Sequence, residues 1–138
     1  MKVTRTASAS WKGTGMDGKS SVSTQSGVLN QTQLSFKTRF EEGIGTNPEE
    51  LIAAAHSGCF TMQLSFLLSE AGYVPEELNT KAKVYFENGS IPLIELELEG
   101  VISGISAEKF EELAGKSKEI CPVSKLLNAQ INLKITLK

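Results

Sequence analysis

Short alternating stretches and two long helical runs divide the chain. Residues 2–11 alternate weakly through Val3, Arg5, Ala7, Ala9 and Trp11, which predicts a strand. The cluster Gly13-Thr14-Gly15-Met16-Asp17-Gly18 predicts a turn. Ser20 to Thr24 reads as a short polar strand, and Gly27 with Asn30-Gln31 as a second turn. Leu34, Phe36 and Thr38 alternate with Ser35 and Lys37, a third strand running toward Arg39. The short loops between these strands predict an antiparallel meander.

Gly43-Ile44-Gly45 breaks the pattern, and Asn47-Pro48-Glu49-Glu50 opens a helix. Asn47 can accept from first-turn N–H groups, and Pro48 suits the first helical position because its missing donor is not needed there. Glu50 stands three residues after Asn47, as in a capping box, and both glutamates complement the helix dipole. The helix is expected to run to about Ala71 and stop at Gly72. Its middle is apolar almost all round, which predicts burial in a core or between subunits. Thr80 to Glu87 alternates through Ala82, Val84 and Phe86, and Asn88-Gly89 is a type I′ hairpin signal. The return strand turns Ile94, Leu96 and Leu98 inward and Glu95, Glu97 and Glu99 outward. Ser106 can cap a helix over 107–119 with Phe110, Leu113 and Ile120 on one face. A shorter helical piece begins at Pro122 and reaches about Asn128, and Ile131, Leu133, Ile135 and Leu137 mark a final strand. The expected class is α+β, with a mainly antiparallel sheet, two main helices and the order βββ-α-ββ-α-β.

Composition narrows the function classes. The chain has 138 residues, enough for one domain with its own core, and residues 1–138 are read as a single domain. Lys and Arg total 14 against 16 Asp and Glu, a net charge of −2, so no bulk charge draws the chain to nucleic acid or anionic lipid. Only Arg5 and Arg39 are arginines, which argues against an arginine-driven nucleic-acid interface. The N-terminus lacks the apolar run of a signal peptide. Leu51 to Leu68 has the length of a membrane span, but it contains His56, Ser57, Gln63 and Ser65 and is read as a core helix. The expected compartment is the cytoplasm, where two cysteines serve as free thiols or as a redox pair rather than as a permanent staple.

Cys59 and Cys121 are those cysteines. Any one cysteine can be an inert small hydrophobe. Cys59 sits mid-helix, where the helix dipole gives no help in forming a thiolate, so reactivity there requires a cation brought by the tertiary fold. Cys121 precedes Pro122 at a helix start, which places its sulfur near unpaired N–H groups that favour a thiolate. His56 and Cys59 share a helix face at a spacing suited to a metal, but there is no second histidine and no Cys-x-x-Cys, and no metal site is expected. His56 reads more simply as a core or capping residue. A Cys-His nucleophile pair of the protease type would place base and nucleophile on one buried helix, closed to a peptide. Glu49 and Glu50 are explained by capping, and Arg39 by a solvated surface. Phosphate-loop and dinucleotide fingerprints are absent, and no cofactor is expected.

Together these residues resemble a known family. Ser23-Thr24-Gln25-Ser26-Gly27-Val28-Leu29-Asn30, Thr38-Arg39-Phe40-Glu41, Gly45-Thr46-Asn47-Pro48-Glu49-Glu50-Leu51-Ile52, Ala54-Ala55-His56-Ser57-Gly58-Cys59-Phe60 and Cys121-Pro122-Val123-Ser124 are similar to the OsmC/Ohr family, specifically to its osmotically inducible OsmC branch. The resemblance spans essentially the whole chain. Ser57-Gly58, where small alanine-like residues are usual, is a conservative change.

The resemblance implies a thiol-dependent peroxidase acting on organic hydroperoxides and more weakly on hydrogen peroxide. It implies Cys59 as the peroxidatic cysteine, Cys121 as the resolving one, and Arg39 and Glu49 as the residues that activate Cys59. It further implies an intertwined homodimer with sites at the subunit interface, and an external dithiol reductant, usually a lipoylated protein. An ordinary cysteine, pKa about 8.5, is only a few per cent thiolate at pH 7. Lowering its pKa by about three units takes roughly 4 kcal/mol, which a permanently charged guanidinium in a partly dry pocket can supply. Glu49 on the other edge of Arg39 would weaken that field while orienting the group. Phe40, Phe60 and Met62 are candidates for an apolar lining. Two other classes stay open: a non-enzymatic binder of apolar ligands and a cysteine redox sensor. Glu49 and Cys59 are ten residues apart, about 15 Å along one helix, beyond a glutamate's reach. A Glu49 that serves Cys59 would therefore come from a second subunit, or the helix would break.

Overall fold

The computed structural model describes residues 1–138, which form two compact units, Met1–Leu51 and Ile52–Lys138.

In the first unit β1 (Ala7–Lys12), β2 (Lys19–Thr24) and β3 (Thr32–Gln33) form an antiparallel sheet in the order β1-β2-β3. The expected meander is there, although β1 begins at Ala7 rather than near residue 2. The third strand is two residues long, and the stretch predicted to continue it is instead a helix, α1 (Phe36–Phe40). The cause is local. Ser35 Oγ accepts the Thr38 N–H at 3.3 Å, and Thr38 Oγ1 accepts the Ser35 N–H at 2.7 Å. This reciprocal box supplies donors and acceptors that a strand would have to find in a neighbour. An alternation of five residues is too short to resist it. The backbone then returns: Thr46 donates to Gln33 O at 2.8 Å, and Gly45, at φ 145°, lies where a Cβ would meet that same oxygen at 2.4 Å.

Helix α2 (Pro48–Glu70) begins where the sequence places it. Asn47 Oδ1 accepts the Glu50 N–H at 2.8 Å, and Asn47 Nδ2 donates to Thr38 O at 3.1 Å, which fastens α1 to the helix start. The Glu50 carboxylate accepts the Thr46 hydroxyl at 2.8 Å, so the glutamate ties down the residue before the cap rather than closing a capping box. Gly72, at φ 90°, ends the helix as expected.

The second unit pairs β4 (Glu77–Glu87) with β5 (Ser90–Val101), and β5 with β6 (Gln130–Leu137). The β4–β5 hairpin turns on Asn88 and Gly89, both at positive φ, as a type I′ turn requires. β6 pairs parallel to β5, from Leu93↔Gln130 to Gly100↔Leu137. The expected mainly antiparallel arrangement is observed, divided into two three-stranded sheets that are antiparallel except for this pair. The connection through α3 (Ala107–Ile120) and α4 (Pro122–Leu126) provides the crossover that parallel pairing needs. Ser106 Oγ caps α3 by accepting the Lys109 N–H at 3.1 Å.

The core of this unit gathers Phe60, Leu64 and Leu68 of α2, Ile94, Leu96 and Leu98 of β5, and Phe110, Leu113 and Ala114 of α3, with Cys121. Helix α2 buries a single stripe, His56, Phe60, Leu64 and Leu68, at steps of four residues. The expected burial all round is not found in one chain: Met62 is 62% exposed and Phe66 58%.

Candidate functional site

The fold brings the predicted site residues together as two pairs. Cys59 and Cys121 meet in the second unit, and Arg39 and Glu49 meet in the first.

Cys121 is the junction residue between α3 and α4. Its N–H closes α3 on Ser117 O at 3.0 Å, and its carbonyl accepts the Lys125 N–H at 3.0 Å. Pro122 forces this break, because it cannot continue α3 but fits the first position of α4. The Cys121 Sγ lies 2.9 Å from Cys59 Sγ although the two are 62 residues apart. Both thiols are free. Cys121 is fully buried and Cys59 is half-buried, so Cys59 is the more accessible of the two residues.

Burial pushes the Cys59 thiol pKa up, and the interaction with the adjacent Cys121 thiol pushes it further, while a backbone hydrogen bond from Val123 pulls it down. The sequence assigns the N–H groups at the start of α4 to Cys121. The Val123 N–H serves Cys59 instead, and Cys121 makes no side-chain cap. The balance within this unit disfavours a thiolate on Cys59, in line with the need for a cation.

His56, one turn before Cys59, is fully buried. Its Nε2 lies 2.8 Å from Ser124 Oγ on α4. Burial holds its pKa below the ordinary imidazole value, so it is neutral at neutral pH. The core role expected for it is observed. Periodicity does not reveal the Ser124 partner; its signal is the Cys-Pro-Val-Ser run, which begins a helix and presents a hydroxyl in its first turn.

Arg39 is in the last turn of α1, not at a strand end. Its Nε and Nη2 both donate to Glu49 Oε1, at 3.0 and 2.7 Å. One edge of the guanidinium is thus gripped by one carboxylate oxygen, which fixes its plane. Arg39 also lies over the Phe40 ring, 5.2 Å from its centroid, and Phe40 packs on Phe36 with centroids 5.0 Å apart. Of the lining candidates, Phe60 is at the centre of the core and cannot face a substrate; Phe40 and Met62 are exposed.

Residues 41–136 match the family model described as OsmC-like protein. The chain is 45% identical over 142 residues to Peroxiredoxin OsmC of Escherichia coli, covering all of this chain and 99% of that one. It is 28% identical over 127 residues to the organic hydroperoxide resistance protein OhrB of Bacillus subtilis, covering 85% and 88%. The crystal structure of an organic hydroperoxide resistance protein from Elizabethkingia anophelis superposes with a TM-score of 0.72 at 30% identity, over 100% of both chains.

Proposed function

The chain belongs to the OsmC-like protein family, and from that premise we propose that it is a thiol-dependent peroxidase that reduces organic hydroperoxides, and hydrogen peroxide more weakly. The observation that carries this reading is the approach of the two sulfurs, 2.9 Å, with the outer one half-buried and the inner one sealed in the core. A hydroperoxide can reach Cys59, and Cys121 waits behind it.

The Cys59 thiolate attacks one peroxide oxygen. The O–O bond breaks, the alkoxide leaves and takes a proton as the alcohol, and Cys59 becomes a sulfenic acid. The Cys121 sulfur then attacks the Cys59 sulfur, water leaves, and a disulfide forms. An external dithiol exchanges with that disulfide and restores both thiols. A lipoylated protein would serve as the reductant.

Arg39 is assigned the part of the activating cation, and Glu49 that of the group that orients it. The two hydrogen bonds from Arg39 to one Glu49 oxygen support this division, since a carboxylate on the guanidinium holds it in place at some cost to its field. Helix α2 runs unbroken from Pro48 to Glu70, so a Glu49 ten residues before Cys59 does not reach it along the same helix. The site is therefore assigned to a homodimer, intertwined so that the Arg39–Glu49 pair of one subunit serves Cys59 of the other. The apolar residues exposed on α2, Met62 and Phe66, suit such an interface. Residues 1–138 act as one functional domain, in keeping with the full-length match to the E. coli relative. A cytoplasmic location fits the free thiols that the cycle requires.

Peroxide consumption with dihydrolipoamide, comparing an organic hydroperoxide with hydrogen peroxide, tests the function. Turnover is expected with both and faster with the organic substrate. A binder would show no thiol loss on adding hydroperoxide, and a sensor would oxidise but not turn over with excess dithiol.

A further inference from the structure

His56 adds a cost that packing alone does not explain. It is fully buried, and its Nδ1 has no hydrogen-bond partner. An unpaired N–H there would be the costlier arrangement, so the proton belongs on Nε2, which donates to Ser124 Oγ. An apolar side chain would fill this position without stranding a ring nitrogen. What the imidazole supplies instead is a tie from α2 to α4, spanning 68 residues of sequence. Helix α4 is otherwise held lightly: it is five residues long, buries none of them fully, packs on the core through the half-buried Val123, and has no side-chain cap at its start. Yet it follows directly on Cys121 and contains Val123, whose N–H meets the Cys59 sulfur.

We propose that His56 is a positioning residue for the resolving step, its hydrogen bond to Ser124 holding α4 against α2 so that Cys121 stays within bonding reach of oxidised Cys59. The proposal rests on the peroxidase reading above. In this step the S–S bond forms, the Cys59 S–O bond breaks, and the hydroxyl leaves as water with the Cys121 proton. The competing fate is attack by a second hydroperoxide, which gives a sulfinic acid and a second alcohol. How the sulfenic acid divides between these fates depends on how close Cys121 is held. A loss of global stability in a protein that remains folded does not alter that division.

The test compares the wild type with His56→Leu, Ser124→Ala, the double variant, and His56→Gln, whose amide N–H can take the place of Nε2–H. Each is treated with excess organic hydroperoxide, and mass spectrometry reads disulfide against sulfinic acid. His56→Leu and Ser124→Ala are expected to raise the sulfinic share relative to disulfide about fivefold, the scale of one net hydrogen bond. The double variant should go no further than either single one, and His56→Gln should restore most of the wild-type ratio. A second measurement needs no peroxidase activity. The equilibrium constant for forming the Cys59–Cys121 disulfide in dithiothreitol redox buffer should fall about fivefold in both single variants. An unchanged ratio and an unchanged constant in folded His56→Leu overturn the proposal, and Ser124→Ala decides the matter if His56→Leu does not fold. Wild-type thiols that ignore hydroperoxide would refute the peroxidase reading, while the dithiothreitol equilibrium would still decide the role of His56.

Discussion

Cys59, the proposed nucleophile, is placed unfavourably in its own surroundings, because burial and the neighbouring thiol both work against its charged form. The Val123 N–H opposes them without prevailing. If Arg39 supplies the missing stabilisation, its removal exposes the unfavourable balance. Arg39→Met is expected to move the Cys59 titration above the ordinary thiol value of about 8.5. A raised pKa means less thiolate at pH 7, so the peroxide rate should fall by more than about tenfold there and climb with pH up to the new pKa. Thiolate absorbance in the ultraviolet, followed against pH, checks this; an unchanged curve would assign the activation to another group. The two cysteines should also separate cleanly. Cys59→Ser is expected to lose all peroxide reduction, because an alcohol forms no usable anion near pH 7. Cys121→Ser should consume one hydroperoxide per subunit and stall as a sulfenic acid or mixed disulfide, which mass spectrometry resolves.

At the scale of elements, the close approach of Phe110 on α3 to β5 depends on one glycine. Gly100 is buried, and a Cβ built there would stand 2.5 Å from Cζ of Phe110, with two further ring carbons at 3.1 and 3.2 Å. The Phe110 ring is itself fully buried in the core, so it has little room to retreat. Gly100→Ala is therefore expected to destabilise the fold by about 1–3 kcal/mol through overpacking, measured by urea unfolding. Gly100→Ala combined with Phe110→Leu should recover part of that loss, since the clash is with the ring. The same elements carry the site, because α3 ends at Cys121 and Ser117 Oγ on α3 donates to Phe60 O at 3.0 Å, one residue beyond Cys59. Repacking α3 on β5 should thus also change the geometry of the cysteine pair.

For the whole molecule, the uncovered side of α2 and the ten residues between Glu49 and Cys59 lead to one experiment. Cys59→Ser and Glu49→Gln chains, each inactive alone, are mixed by unfolding and refolding. If the sites are shared between subunits, a heterodimer collects both defects in one site and keeps the other intact. Random pairing then returns about a quarter of the wild-type rate, because half the dimers are mixed and half their sites are whole. No recovery with confirmed heterodimers would reject sharing, as would a soluble, active monomer.

Local chemistry made much of this protein legible in its sequence. Asn47-Pro48 starts α2, Asn88-Gly89 turns the hairpin, Ser106 caps α3, and Ile94, Leu96 and Leu98 face inward, each through bonds or periodicity within a few residues. The motifs around Cys59 and Cys121 carried the family resemblance, and with it the candidate pairings. Other features depended on partners distant in sequence. Helix α1 is a separate case: its Ser35–Thr38 box is local, and the alternation of Leu34, Phe36 and Thr38 conceals it. The parallel pairing of β6 with β5 followed from how α3 and α4 cross, which the alternation of Ile131 to Leu137 does not encode. The distance between the sulfurs, the turn of the Val123 N–H toward Cys59, and the bond from His56 to Ser124 arise from packing α2 against the α3–α4 junction. Periodicity reports which face of an element is apolar; the contact each face makes is decided when the elements close on one another and exclude water.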